Sequence, residues 1–166
     1  MKIVDGYKNK KLLILGATYG EIEIINAAKE MEIYTIVTDN HTDWQDAPAK
    51  KIADEAWNIS WSDINALKNK CMENNIDGVM AGFSEARIMN ATKLAKAINK
   101  TFYTNEADLN VICDKMAFKN ACIKAGLTVP KEYKYGDKIA YPVIIKPVDN
   151  GGSRGISICY NDDELE

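Results

Sequence analysis

The chain has 166 residues, of which 46% are hydrophobic and 27% charged, and its formal net charge is −3. These values are typical of a globular protein, and the acidic balance argues against a nucleic-acid partner, which usually requires a basic face. No apolar run reaches the length of a membrane span or of a secretory signal. The four cysteines form no C-x-x-C pair. We therefore expect a cytoplasmic protein with reduced thiols and no membrane partner.

Apolar strand-like runs and amphipathic helical stretches alternate through the first two thirds of the chain. The runs KLLILG, YTIVTDN, AWNIS, DGVMAG and TFYTN predict strands at 11–16, 34–40, 56–60, 77–82 and 101–105, with helices at 21–33, 62–74 and 85–99 between them. Strands that alternate with helices in this way form an α/β fold with helices on both faces of an open sheet. A Rossmann-like domain with a mostly parallel sheet is predicted.

The pattern changes after residue 105. A short helix is predicted at 107–113, and Asp114 is expected to cap a second helix that ends at Ala125, before Gly126. Two strands, 141–148 and 155–160, are joined by the loop DNGGSR. The final DDELE is typical of the first turn of a helix, so we expect the chain to be truncated.

The turn G-A-T-Y-G, residues 16–20, lies between the first strand and the first helix. Ligands bind at this position in doubly wound sheets, and Asp39 ends the second strand, where a dinucleotide ribose would be held. The turn lacks the G-x-G-x-x-G spacing of a dinucleotide site. A structural turn that contacts a small anionic substrate is the preferred interpretation, with Gly16 and Thr18 as candidate residues, and a dinucleotide site is the alternative.

The segment G-F-S-E-A-R, residues 82–87, follows the fourth predicted strand. Ser84 can cap the next helix, which would explain the segment without any function. Because the carboxyl ends of parallel strands share one edge of the sheet, Glu85 and Arg87 are also candidate substrate contacts beside Thr18.

The segment YPVIIKPVDNGGSRGIS carries the sharpest signal. Strand alternation places Val143 and Ile145 on one face and Ile144 and Lys146 on the other. A lysine among apolar residues must reach solvent or meet an anion, and a glycine-rich loop with serine and arginine can enclose phosphates. The lysine precedes the glycines, so this is not a P-loop. A plain hairpin at Asn150-Gly151 is the alternative.

Lys115 is predicted in the first turn of a helix, where a cation opposes the helix dipole. A solvated surface lysine would explain it. Together with Lys146 and the glycine loop, however, it fits a site in which a hairpin closes over the phosphates of ATP.

These residues resemble the ATP-grasp superfamily, in particular the amino-terminal part of biotin carboxylase, of the carbamoyl phosphate synthetase large chain and of the phosphoribosylaminoimidazole carboxylase ATPase subunit. The most specific match is YPVIIKP followed by GGSRGI, with Asp114-Lys115 upstream, and GFSEAR and the ADE of 53–55 are weaker. The resemblance implies three parts: a pre-ATP-grasp domain at 1–106, a helical linker at 107–130, and the beginning of a lid subdomain at 131–166.

The resemblance also implies a nucleotide site and a chemistry. ATP would be contacted by Lys115, Lys146, Gly151, Gly152, Ser153, Arg154 and Gly155. In this superfamily ATP phosphorylates a carboxylate or bicarbonate, and a nitrogen or other nucleophile displaces the acyl phosphate. The Mg²⁺ ligands of such enzymes follow the matched stretch, so this chain alone is expected to hold no catalytic or metal-binding residue and to be inactive.

Two other interpretations stay open on the sequence alone. The first is a non-catalytic nucleotide- or dinucleotide-binding module, and the second is a regulatory domain that keeps the fold without the chemistry. The residues determine neither the acceptor substrate nor the oligomeric state, for which a homo-oligomer is one option.

Overall fold

The computed structural model of the protein describes residues 6–134, 136–147 and 154–165. The chain forms two compact units, residues 1–110 and residues 111–166, which we call unit 1 and unit 2 and describe separately. In the described ranges no helix is both long and apolar enough to cross a lipid bilayer.

Unit 1 is built on a four-stranded sheet in which every pairing is parallel. Its strands are β1 (Lys11–Leu15), β2 (Tyr34–Thr38), β3 (Glu55–Trp57) and β4 (Gly78–Ala81), in the order β3-β2-β1-β4. Most residues of β1 and β2 are buried, because a parallel sheet is covered on both faces.

Helices cover both faces of this sheet. They are α1 (Tyr19–Glu30), α2 (Ile64–Asn74) and α3 (Glu85–Ala97), with a 3₁₀ helix at Pro48–Lys51. On one face Ile25 of α1 packs with Ile14 and Val37. On the other face, side chains of α2 and α3 pack with Leu13 and Ile36. The predicted α/β class with an open, mostly parallel sheet is confirmed.

Local capping signals set the ends of several helices. Asp63 accepts a hydrogen bond from the Ala66 N–H at the start of α2. Asp114 accepts hydrogen bonds from the N–H groups of Met116 and Ala117 at the start of the helix Lys115–Lys124 in unit 2. Gly126, with a φ of 75°, follows the end of that helix. Asp114 and Gly126 lie where the sequence places them, whereas Ser84 is the N-cap of the helix that begins at Glu85 but its side chain makes no capping hydrogen bond.

Unit 2 combines short helices with an antiparallel hairpin. The helix α4 (Glu106–Cys113) begins in unit 1 and ends in unit 2, and it is followed by α5 (Lys115–Lys124), β5 (Val143–Ile145) and β6 (Ser157–Cys159). In the hairpin Ile144 pairs with Ile158. Both strands are shorter than the predicted 141–148 and 155–160.

One predicted strand is wrong. Residues 101–105 form no strand; Phe102 packs against the apolar core of unit 1 while its backbone stays outside the sheet. The DDELE segment forms a turn through Leu165, in which Asn161 accepts a hydrogen bond from the Glu164 N–H and the Glu164 carboxylate accepts one from the Tyr160 N–H, as at the start of a helix.

Candidate functional site

Two of the predicted nucleotide contacts lie close together in unit 2. Lys115 is the first residue of α5, and its ammonium group donates a hydrogen bond to the Pro147 carbonyl over 3.3 Å. Pro147 directly follows Lys146, which is the first residue after β5. Both lysine side chains are exposed. The start of α5 therefore contacts the end of β5 across 32 residues of the chain, and each of these two segments carries an exposed lysine.

One face of the hairpin combines apolar side chains with Lys146. Ile144 is 64% exposed, and its cross-strand partner Ile158 is 54% exposed. Alternation along β5 puts Lys146 on the same face as Ile144. On the other face of the hairpin, Cys159 is buried and is the cross-strand partner of Val143. The exposed face thus offers an apolar surface next to a positive charge.

The predicted glycine-rich flap is only partly described. Arg154 and Gly155 are exposed and lead into β6, and Gly155 has a φ of 72°. A left-handed turn of this kind favours glycine. Gly151, Gly152 and Ser153 lie outside the described residues.

At the carboxyl edge of the sheet in unit 1, Arg87 covers Gly16. A Cβ atom built on Gly16 would lie 2.6 Å from the guanidinium carbon of Arg87, and Gly16 has a φ of 99°. Arg87 also forms an ion pair with Glu21, with 2.8 Å between Nη1 and Oε1. Only glycine fits under the guanidinium at this position.

Glu21 joins a further predicted residue to this group. Its second carboxylate oxygen accepts hydrogen bonds from the Thr18 N–H (2.8 Å) and the Thr18 hydroxyl (2.7 Å). Of the four predicted substrate residues, the structure therefore brings Gly16, Thr18 and Arg87 together around Glu21. Glu85 is exposed at the start of α3.

The carboxylate of Asp39 is hydrogen-bonded to the nearby residue His41. Its carboxylate is 3% exposed and accepts a hydrogen bond from the His41 N–H, and His41 Nδ1 lies 2.6 Å from the same oxygen. Lys50 donates to the Asp39 carbonyl, to the His41 carbonyl and to Asn58 Oδ1. Burial lowers the pKa of Lys50, and the charge of Asp39 opposes that shift.

Sequence reasoning missed Glu21. The signal was present, since Thr18 followed by glutamate three residues later is the capping-box pattern. The partnership of Glu21 with Arg87 spans 66 residues, and no local pattern announces it. No local pattern announces the hydrogen bond from Lys115 to the Pro147 carbonyl either, since it spans 32 residues.

The described parts of the chain contain no group of three or more His, Cys, Asp or Glu side chains that could hold a metal ion. The arrangement in unit 2, with two lysines and an apolar strand face, is instead suited to a ligand with phosphates and a ring.

The chain is similar to several known proteins. The family model described as "Carbamoyl-phosphate synthase L chain, ATP binding domain" matches residues 105–166. Biotin carboxylase 1 of Bacillus subtilis is 26% identical over 176 residues, which is 94% of this chain and 39% of that protein. The 2-oxoglutarate carboxylase small subunit of Hydrogenobacter thermophilus is 30% identical, over 94% of this chain and 37% of that protein.

The chain is also similar to solved structures over most of its length. The crystal structure of N5-carboxyaminoimidazole ribonucleotide synthetase from Thermotoga maritima superposes with a TM-score of 0.69 and 25% identity, over 94% of this chain and 42% of that one. The fold and these matches confirm the resemblance to the ATP-grasp superfamily. More narrowly, the chain is similar to the amino-terminal part of its relatives, and it spans about two fifths of their length.

Proposed function

We propose that the chain is the amino-terminal part of an ATP-dependent ligase of the carboxylate–amine type. The observation that carries this proposal is the meeting of Lys115 with the segment Lys146-Pro147 in unit 2. The family model that matches residues 105–166 describes an ATP binding domain, and both lysines lie inside that range. Two lysines carried by these contacting segments match the charge of a polyphosphate.

The nucleotide would lie on the exposed face of the hairpin. Its base would pack on Ile144 and Ile158, and its phosphates would reach Lys146 and Lys115. We further assign Gly151, Gly152, Ser153, Arg154 and Gly155 to the flap over the phosphates. The exposed position of Arg154 next to β6 supports this assignment, since a guanidinium there can add charge-assisted hydrogen bonds.

The chain's own contribution would be to bind, orient and neutralise. Bound ATP would supply the phosphoryl group that activates a carboxylate. Lys115 and Lys146 would fix the position of the phosphates and reduce their negative charge, which is most of what a protein does in phosphoryl transfer. We expect the Mg²⁺ ligands in the part of the relatives that this chain does not span, so the chain alone would bind ATP without turning it over.

We propose a small carboxylate or bicarbonate as the acceptor, in a cytoplasmic enzyme of the carbamoyl phosphate synthetase kind. The description of the matching family model supports that choice. We also propose Gly16, Thr18, Glu85 and Arg87, at the carboxyl edge of unit 1, as substrate contacts. A homo-oligomer is compatible with this proposal.

Two contacts in unit 1 count against a dinucleotide site. A pyrophosphate would have to approach the backbone at Gly16, where the guanidinium of Arg87 already lies. Asp39, which would hold the ribose, is bonded to His41.

The test is nucleotide binding by the 166-residue chain, measured by calorimetry with MgATP and with NAD. We expect ATP to bind and Lys146→Ala to weaken it about tenfold, the size of one charge-assisted hydrogen bond. Lys138→Ala is the matched control, because Lys138 is an exposed lysine of the same unit. Binding of NAD without binding of ATP, or equal ATP affinity in the Lys146 variant and the control, would overturn the proposal.

A further inference from the structure

Both carboxylate oxygens of Glu21 accept hydrogen bonds at the carboxyl edge of unit 1. The side chain is fully buried in the first turn of α1. One oxygen accepts from Arg87, and the other accepts twice from Thr18. A buried charge must be compensated in this way, because leaving it unpaired is costly. Glu21 thus ties the turn after β1 to the turn after β4.

The ion pair with Glu21 holds the Arg87 side chain against the turn after β1. Its side chain is 15% exposed, and its guanidinium rests against Gly16. In open α/β sheets this turn is where the backbone meets the anionic groups of a ligand. Here a cation of the chain fills that position, and its charge is balanced by a buried carboxylate.

The lysines near this edge are also engaged. Lys50 donates to three oxygens, those of Asp39, His41 and Asn58. The ammonium group of Lys51 lies 3.5 Å from the centre of the Trp44 ring. Both cations therefore already contact groups of the chain itself.

The groups that are exposed at the edge have a different character. Tyr19 is 72% exposed and Phe83 is 83% exposed. The ring of Phe83 packs on Gly20, which follows Tyr19, since a Cβ atom on Gly20 would lie 2.4 Å from that ring. Glu85 adds a negative charge two residues after Phe83. Aromatic rings beside a carboxylate suit a neutral or cationic group.

We infer that Glu21 is the residue that determines the charge selectivity of this edge. By holding Arg87 against Gly16, it prevents the edge from binding phosphate-bearing or other anionic parts of a substrate and reserves it for an uncharged or cationic part. The inference rests on the proposed function, in which this edge contacts the substrate, and it replaces the small anionic group that the sequence suggested for the turn after β1.

The experiment is a titration of the 166-residue chain with inorganic phosphate. Binding is detected by calorimetry and by changes in the NMR signals of the Arg87 side chain. All proteins carry Lys146→Ala, so that phosphate binding by unit 2 is reduced. We expect no Arg87-dependent binding when Glu21 is present. In Glu21→Gln the guanidinium loses its counter-charge, and phosphate affinity should rise about tenfold or more. The double variant Glu21→Gln/Arg87→Gln should lose this gain.

Two outcomes would overturn the inference. One is phosphate binding by the chain with Glu21 that disappears in Arg87→Gln, and the other is a folded Glu21→Gln variant without any gain in affinity. If Glu21→Gln fails to fold, the comparison of the Glu21 chain with Arg87→Gln can still overturn the inference, by showing phosphate binding that depends on Arg87. Loss of ATP binding in the Lys146 variant is a separate result, so failure of the proposed function is distinguishable from failure of this inference.

Discussion

Unit 1 and unit 2 distribute their apolar side chains in opposite ways. Among the residues that the structure describes, every buried apolar side chain except that of Cys159 belongs to unit 1. Unit 2 is about half as long, yet it contributes more than half of the large apolar side chains that are exposed, including Phe118, Ile144 and Ile158.

This difference assigns the two units different roles, stability to unit 1 and ligand contact to unit 2. Burial of apolar surface is the main favourable contribution to folding, so the stability of the chain resides in unit 1. A two-stranded hairpin is marginally stable in water by itself. The apolar side chains of unit 2 remain available for contact with a ligand, as the proposed nucleotide site requires.

The largest effect that would test this comparison is the loss of a core side chain in unit 1. Leu13 is fully buried on β1, and Leu13→Ala should lower the free energy of unfolding by about 2–5 kcal/mol, because it removes packed methyl groups and leaves a cavity. Urea denaturation followed by tryptophan fluorescence measures this change, since Trp44, Trp57 and Trp61 all lie in unit 1. Ile144→Ala, at a 64% exposed position of unit 2, should change the value by less than about 0.5 kcal/mol. Equal losses would break the comparison.

A smaller effect is expected from two glycines that share a left-handed backbone but differ in their surroundings. Gly126→Ala in unit 2 meets no atom within 4 Å, so only backbone strain of about 1 kcal/mol applies. Gly16→Ala in unit 1 adds a clash with Arg87 to comparable strain, and we expect a loss of about 2–3 kcal/mol in total. Thermal unfolding followed by circular dichroism compares the two variants. A milder effect at Gly16 than at Gly126 would show that Arg87 moves away without cost.

The smallest effect concerns acid stability. The hydrogen bond from the Lys11 N–H lowers the pKa of Asp77, burial opposes this shift, and Lys10 adds to the lowering. The ionised carboxylate therefore stabilises unit 1 above about pH 4, the value for an unfolded aspartate, and this contribution is lost as the pH falls through the lower pKa of the folded state.

Asp77→Asn should make the stability of unit 1 less dependent on pH below 4, as measured by urea denaturation at a series of pH values. The backbone hydrogen bond is the largest cause, so 1 M salt, which screens the exposed Lys10 partner, should leave most of the pH dependence in place. An unchanged acid profile in Asp77→Asn would contradict this account.

Much of the fold could be predicted because its signals are local. The apolar run of β1, the helical stripe around Ile25 and the caps at Asp63 and Asp114 each depend on a few neighbouring residues. The failure at 101–105 has a physical reason. β-branched and aromatic residues favour a strand only where a neighbouring strand is paired with them, and here the aromatic ring of Phe102 is satisfied by packing alone.

The sequence by itself determined the α/β alternation, the cap positions and the identity of Lys115 and Lys146 as candidates, since each follows from residue type and short spacing. Only the tertiary structure decided that Lys115 bonds to Pro147 and that Arg87 pairs with Glu21 above Gly16. Contacts across 32 and 66 residues depend on how strands and helices pack, and packing is a property of the whole fold. That is why the turn after β1 suggests an anion site in the sequence and proves to be covered by a paired arginine in the structure.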